Sequence, residues 1–127
     1  MYSYKNKNGF TLPEVLIAIV VLMVGLLGVA GLTIIVIRGN VFSKQITTAV
    51  TIASDQMERM KALGFAGTAS TDTTTTEAYG TLPDFPLYKR TTSIDVDSPA
   101  TRMKIVTVKV FWDADKHKVE LRTILAE

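Results

Sequence analysis

The sequence predicts an α+β protein: one long N-terminal helix, apolar in its first half and amphipathic in its second, packed on a small antiparallel sheet of three strands. Three observations predict it. An apolar run extends from Val15 to Ile37, a three- and four-residue spacing of apolar side chains follows it to Leu63, and the last third of the chain alternates with period two.

The chain opens on a short, polar, basic stretch that leads through Gly9-Phe10-Thr11-Leu12-Pro13-Glu14 into the apolar run. That run is about 23 residues long with Thr33 as its one polar side chain, enough to cross a bilayer. Its roughly 16 Val, Leu and Ile residues contribute about −0.3 to −0.6 kcal/mol each to insertion, against about +3 for a central carboxylate and less near the interface. Insertion wins, and Glu14 enters the membrane margin lacking a partner. An acid in that position is a functional-site hypothesis whose partner has to be named. Lys5 and Lys7 favour a cytoplasmic N-terminus, a bias that Arg38 and Lys44 on the far side weaken. A secretory signal is the rival for such a beginning, but this run is longer than an ordinary h-region and passes into a helical pattern.

Gly9-Phe10-Thr11-Leu12-Pro13-Glu14-Val15-Leu16-Ile17-Ala18 resembles the processing signal of type IV prepilins, which is cut after the glycine by a membrane aspartyl peptidase that also methylates the new N-terminus. The resemblance implies cleavage between Gly9 and Phe10, N-methylation of Phe10, and Glu14 as the fifth mature residue. It implies a fold, the pilin lollipop, and a role for Glu14 in subunit assembly. The new amine at Phe10 is the partner the carboxylate lacked, most usefully between neighbouring subunits, where two charges neutralise each other as they leave water. Pro13 replaces the commoner aliphatic residue of the motif, and in the first turn it removes no intrahelical N–H. Gly25, Gly28 and Gly31 each lower helix propensity by up to about 1 kcal/mol and cut a groove along the segment, which suits close helix packing or a soft point that stretches on assembly.

The organisation that follows is a leader peptide over 1–9, a transmembrane and assembly half-helix over 10–37, an amphipathic half-helix over 38–63, and a loop-and-sheet domain over 64–127. In the second half-helix Phe42, Ile46, Ala49, Ala53, Met57, Met60 and Leu63 share a face, and Gly64 supplies the stop. From Phe10 to Leu63 the helix would measure about 80 Å. The Met57, Met60 and Leu63 stripe is core packing by type and spacing. Residues 64–86, with the threonine-rich tract Thr71–Thr76, are expected as a solvated surface loop that could carry sugar or touch a partner.

Three strands are expected in the remainder. Tyr88, Arg90, Thr92, Ile94 and Val96 form one alternating series; Val106, Val108, Val110 and Trp112 a second; Val119, Leu121, Thr123 and Leu125 a third. Ser98-Pro99 and Asp113-Ala114-Asp115 mark the turns. Tyr88-x-Arg90, the run Lys104–Trp112, the return Val119–Thr123 and the helix segment Ala53–Lys61 resemble the PilV-like group of minor pilins, more loosely than the N-terminal match. They are also similar to minor pseudopilins of type II secretion, which share the signal, the anchor and a small sheet.

Composition narrows the function classes. The chain has 127 residues, no cysteine and a net charge of +2. Its 14 basic residues less Lys5 and Lys7 leave 12, equal to the 12 acidic ones, so no basic field for nucleic acid remains after the leader. His117 stands without a second histidine or a cysteine, in an expected turn beside Lys116 and Lys118, which favours a solvated side chain over a base or ligand. Asp113 and Asp115 could contribute to a Ca²⁺ site but lack the further acids and glycine of an EF-hand, and Asp95 with Asp97 have the same shortfall. The expectation is a non-enzymatic, single-pass inner-membrane protein without cofactor or metal, its sheet domain outside the cytoplasm, acting as a minor pilin in priming or at the tip of a type IV pilus. Its expected partners are the prepilin peptidase, other major and minor pilins and the assembly platform. The alternatives are a type II secretion pseudopilin, an uncut bitopic signalling or scaffold protein, and a membrane-tethered enzyme.

Overall fold

The structure, a computed structural model, describes residues 9–127; Lys5, Lys7 and the rest of the expected leader before Gly9 lie outside the described residues. The chain divides into two compact units, the first ending at Val41 and the second running from Phe42 to Glu127. Helix α1, Leu12–Gly67, passes through both and is followed by β1 (Thr73–Glu77), β2 (Tyr88–Val96), β3 (Met103–Trp112) and β4 (His117–Ala126). The helical hydrogen-bonding pattern is unbroken through Gly25, Gly28 and Gly31, and a Cβ at any of the three would meet no atom of this chain. In the first unit the apolar side chains of α1 are exposed, which in water would be untenable and in a bilayer is the favourable state.

In the second unit the helix face predicted from the spacing faces the sheet. Ala49, Ile52, Ala53 and Met57 are buried, with Ile46 and Met60 packed at the margin; Leu63, expected on the same stripe, is instead largely exposed. Two alanines with no exposed surface let the helix approach the sheet closely, and Val106, Val108 and Val110 of β3 fill the space opposite. The helix breaks at Gly64, whose φ of 67° and ψ of −174° lie in a region open in practice to glycine alone. The expected stop is therefore at the right residue, and one further short turn carries the chain to Gly67.

The sheet has four strands in the order β1-β2-β3-β4, every neighbouring pair antiparallel, rather than the three expected. The extra strand is Thr73–Glu77, part of what was expected as a solvated loop. Its register, Thr73 with Ile94 through Glu77 with Arg90, gives four β-branched residues an extended backbone that suits them. All four threonines are exposed, so no alternation of apolar and polar residues announces the strand. The three predicted strands keep their predicted parity: Tyr88, Arg90, Thr92 and Ile94 face the helix with Val106, Val108, Val110 and Trp112.

Two charged side chains are buried on that face. Arg90 donates from Nε and Nη2 to Glu77 Oε2 and Oε1 (2.5 and 2.8 Å), a two-pronged pair across the β1–β2 ladder. Lys104 Nζ donates to the Phe65 carbonyl (2.7 Å), the Thr68 carbonyl (3.3 Å) and Thr68 Oγ1 (3.4 Å), and lies 4.3 Å from the Phe65 ring centroid. It thus supplies the cation and the donors that the carbonyl end of a helix lacks.

The candidate assembly and processing site

The first turn of α1 explains its own starting point. Thr11 precedes the helix as N-cap and Glu14 occupies the third helical position, the threonine-x-x-glutamate spacing of a capping box. Glu14 Oε2 accepts from the Thr11 backbone N–H at 3.2 Å and from Thr11 Oγ1 at 3.1 Å, while Val15 N–H donates to the Thr11 carbonyl at 3.2 Å. Pro13 sits within this turn, where its absent N–H leaves no bond unmade. The capping role of Glu14 was present in the sequence and was not part of the expectation, which assigned the carboxylate to a partner alone.

Capping does not exhaust Glu14. Both bonds use Oε2, and Oε1 accepts no hydrogen bond among the described residues. A groove of about 450 Å³ runs along this end of the helix, lined by Phe10, Glu14, Val15, Ala18, Ile19 and Leu22. Its wall is apolar except for that one carboxylate, and Phe10 stands highly exposed at its head. A chemical group suited to it is a cation carried on an apolar segment. Gly9, adjoining Phe10, is exposed and meets nothing, so the bond between them is open to solvent or to an enzyme.

Residues 4–30 match the family model of the prokaryotic N-terminal methylation motif. The match takes in Gly9, Phe10, Glu14 and much of the apolar run, and none of the sheet. It is consistent with a type IV prepilin-like protein, a structural pilin-like subunit rather than an enzyme, and with the apolar helix as its membrane anchor. The motif implies processing by a prepilin peptidase and association with pilins. Comparison with curated proteins and with solved structures finds no match.

The remaining candidate residues lie in the second unit. His117 is not a solvated turn residue: it opens β4, stacks on Trp112 (centroids 5.5 Å apart, planes at 29°) and meets Phe42 edge-on at 5.3 Å. The turn before it, Asp113 to Lys116, is tighter than expected, since Trp112 and His117 pair directly, and it holds Asp113, Ala114 and Asp115 at positive φ. A pin secures that strained turn. Tyr79 Oη donates to Asp115 Oδ1 (2.8 Å), the Asp115 N–H donates back to Tyr79 Oη (3.1 Å), and Lys89 Nζ pairs with Asp115 Oδ2. The hydrogen bond from Lys89, then that from Tyr79, holds the Asp115 carboxyl below the usual aspartate range. Burial, then the hydrogen bond to Asp115, raises the Tyr79 hydroxyl above its usual value. Asp113 lies 3.5 Å from Lys116 Nζ and 4.0 Å from His117 Nε2. Both turn aspartates are thus turned to protein cations, and no group of three or more candidate metal ligands occurs among the described residues. Asp97 accepts from the Arg102 N–H (3.1 Å) and belongs to the β2–β3 turn.

Proposed function

We propose that this chain is the precursor of a minor pilin of a type IV pilus, acting in assembly priming or at the tip. Prepilin peptidase cuts between Gly9 and Phe10 and the new amine is methylated. Lys5 and Lys7 hold the N-terminus in the cytoplasm, α1 anchors the subunit in the inner membrane, and the sheet unit lies outside the cytoplasm, where other pilins and the assembly platform meet it. The supporting observation is the methylation motif at 4–30 with Glu14 four residues beyond Phe10.

Glu14 has two tasks in this reading. Through Oε2 it caps its own helix, and through Oε1 it receives the N-methylated amine of a neighbouring Phe10, whose ring enters the apolar groove beside it. Ion pairing at the membrane margin is favourable because each charge is otherwise poorly solvated. The test is a strain carrying Glu14→Gln. Normal insertion and cleavage with failed incorporation into filament or priming complex supports the reading; normal incorporation overturns the pairing. Deleting the gene should reduce surface pili and twitching or adhesion, whereas lost protein secretion with intact pili would reassign the subunit to a type II secretion pseudopilus.

A further inference from the structure

The sheet has two open edges, β1 and β4. β4 pairs with β3 residue for residue along its ten positions and contains neither proline nor glycine, so its outer edge is straight and continuous. Glu127 N–H donates to the Arg102 carbonyl at 3.2 Å, which fixes the ladder: hydrogen-bonded pairs alternate along antiparallel strands, so Leu125, Thr123, Leu121 and Val119 bond inward to β3. The N–H and C=O groups of Lys118, Glu120, Arg122 and Ile124 point away from the sheet, and these are the exposed residues of the strand. Carried across β3 and β2, the same alternation turns Thr73, Thr75 and Glu77 inward and Thr74 and Thr76 outward on β1.

The two edges differ in charge. Lys118, Glu120 and Arg122 mark the β4 edge; Lys118 Nζ lies 3.7 Å from Glu120 Oε2, while Arg122 has no ion pair among the described residues; the β1 edge begins at Asp72, whose Oδ1 accepts from Val96 N–H (2.8 Å) and whose Oδ2 has no partner among them. Because all neighbours in the sheet are antiparallel, β1 and β4 run in opposite directions. A second copy set alongside in the same orientation therefore brings its β1 antiparallel to β4. We infer that β4 of one copy takes β1 of a second copy as its next strand, with Arg122 opposite Asp72, Glu120 opposite Thr74 and Lys118 opposite Thr76. A shift of two residues either way loses the match, placing Glu120 or Ile124 opposite Asp72 instead.

A two-fold pairing of β4 with β4 centred on Leu121 would match Glu120 with Arg122 twice. It fails on orientation. Phe42, where the chain leaves the first unit, lies beside His117 at one end of β4, and an antiparallel partner strand sets its own Phe42 at the other end. The β4–β1 pairing keeps the Phe42 ends of the two sheet units together, as two chains entering from one membrane require, and repeats without closing. The inference takes from the proposed function only the shared membrane and does not involve Glu14.

The chain has no cysteine, so introduced thiols report alone. Full-length Glu120→Cys and Thr74→Cys chains, coexpressed in membranes and oxidised, would hold Cα atoms about 5.5 Å apart, within disulfide reach. The expected result is a mixed disulfide dimer exceeding either self-dimer several-fold, and reduced several-fold when Arg122→Glu is added to the Glu120→Cys chain. Preferential coupling of Glu120→Cys to Arg122→Cys would establish the two-fold pairing instead, coupling only to a different protein would replace the second copy as occupant, and random yields would remove the edge as an interface; each overturns the inference. Trp112 fluorescence verifies that the variants are folded. N-terminal processing, read on the same samples, tests the pilin reading separately.

Discussion

Glu14 Oε2 accepts from both donors of Thr11, the backbone N–H at 3.2 Å and the hydroxyl at 3.1 Å, and Oε1 stays clear. The same carboxylate can start its own helix and receive a charge from outside because the two tasks use different oxygens. Thr11→Val should separate them: it removes the hydroxyl donor, loosening the first turn by about 1 kcal/mol, while the backbone bond and the carboxylate remain. Incorporation into filament should fall less for Thr11→Val than for Glu14→Gln, measured by immunoblot of sheared pili against the membrane fraction. Equal losses would make capping the whole role of Glu14.

Lys104 ties β3 to the end of α1 through the carbonyls of Phe65 and Thr68. Lys104→Met should leave the Phe65 and Thr68 carbonyls without their donor at a cost of about 1–3 kcal/mol, lowering the denaturation midpoint of the detergent-solubilised chain without altering cleavage at Gly9. An unchanged midpoint would show that water replaces the ammonium.

Trp112 joins the valine core to the ring series Tyr88, His117 and Phe42. Its Nε1 is buried without a hydrogen-bond partner among the described residues, so its contribution there is packing. Trp112→Ala should cost about 3–5 kcal/mol and deplete the folded unit, and Trp112→Phe markedly less, since it keeps a ring and removes an unsatisfied donor. Comparable losses for the two would mean that the indole N–H has a partner in solution. The ring series engages α1 at Gln45, whose carbonyl accepts from Tyr88 Oη at 3.3 Å.

The Asp115 pin should be indifferent to pH through the neutral range. Because the folded state holds this carboxyl below its unfolded value, its contribution is present above the ordinary aspartate range and is lost as pH falls through the depressed folded value. Tyr79, shifted upward, contributes below the ordinary tyrosine range and loses that as pH rises beyond it. The protection factors of the Asp115 and Lys116 amides, their exchange rates divided into the intrinsic base-catalysed rates at each pH, should therefore be high and flat between about pH 5 and 9, and low throughout in Asp115→Asn. High protection in that variant would place the restraint elsewhere in the turn.

The anchor, the buried helix face and three strands were legible because each carries a periodic apolar signal: a continuous run to Ile37, a three-four spacing through Ala49, Ala53 and Met57, and alternation through Val106, Val108 and Val110. Thr73–Thr76 carries none, being polar on both faces of an edge strand, and with it went the partner of Arg90. Lys104 could have been placed inward by parity with Val106, but its neutralisation by carbonyls of a helix end lies far away in sequence. His117 was assigned to solvent from its charged neighbours, when its parity with Val119 and Leu121 puts it on the helix-facing side. The Thr11-x-x-Glu14 spacing was readable throughout and was eclipsed by the more specific hexapeptide around it.

The processing of the N-terminus bears most directly on the whole account, because the pairing of Glu14 requires an amine that only cleavage creates. Gly9→Val should leave the precursor uncut, since a β-branched side chain restricts the backbone where the motif has glycine. Intact-mass analysis of the membrane or filament form of the natural chain is the deciding measurement. The account predicts a single species that begins at Phe10 and carries one added methyl group; a species that retains Met1 would contradict it.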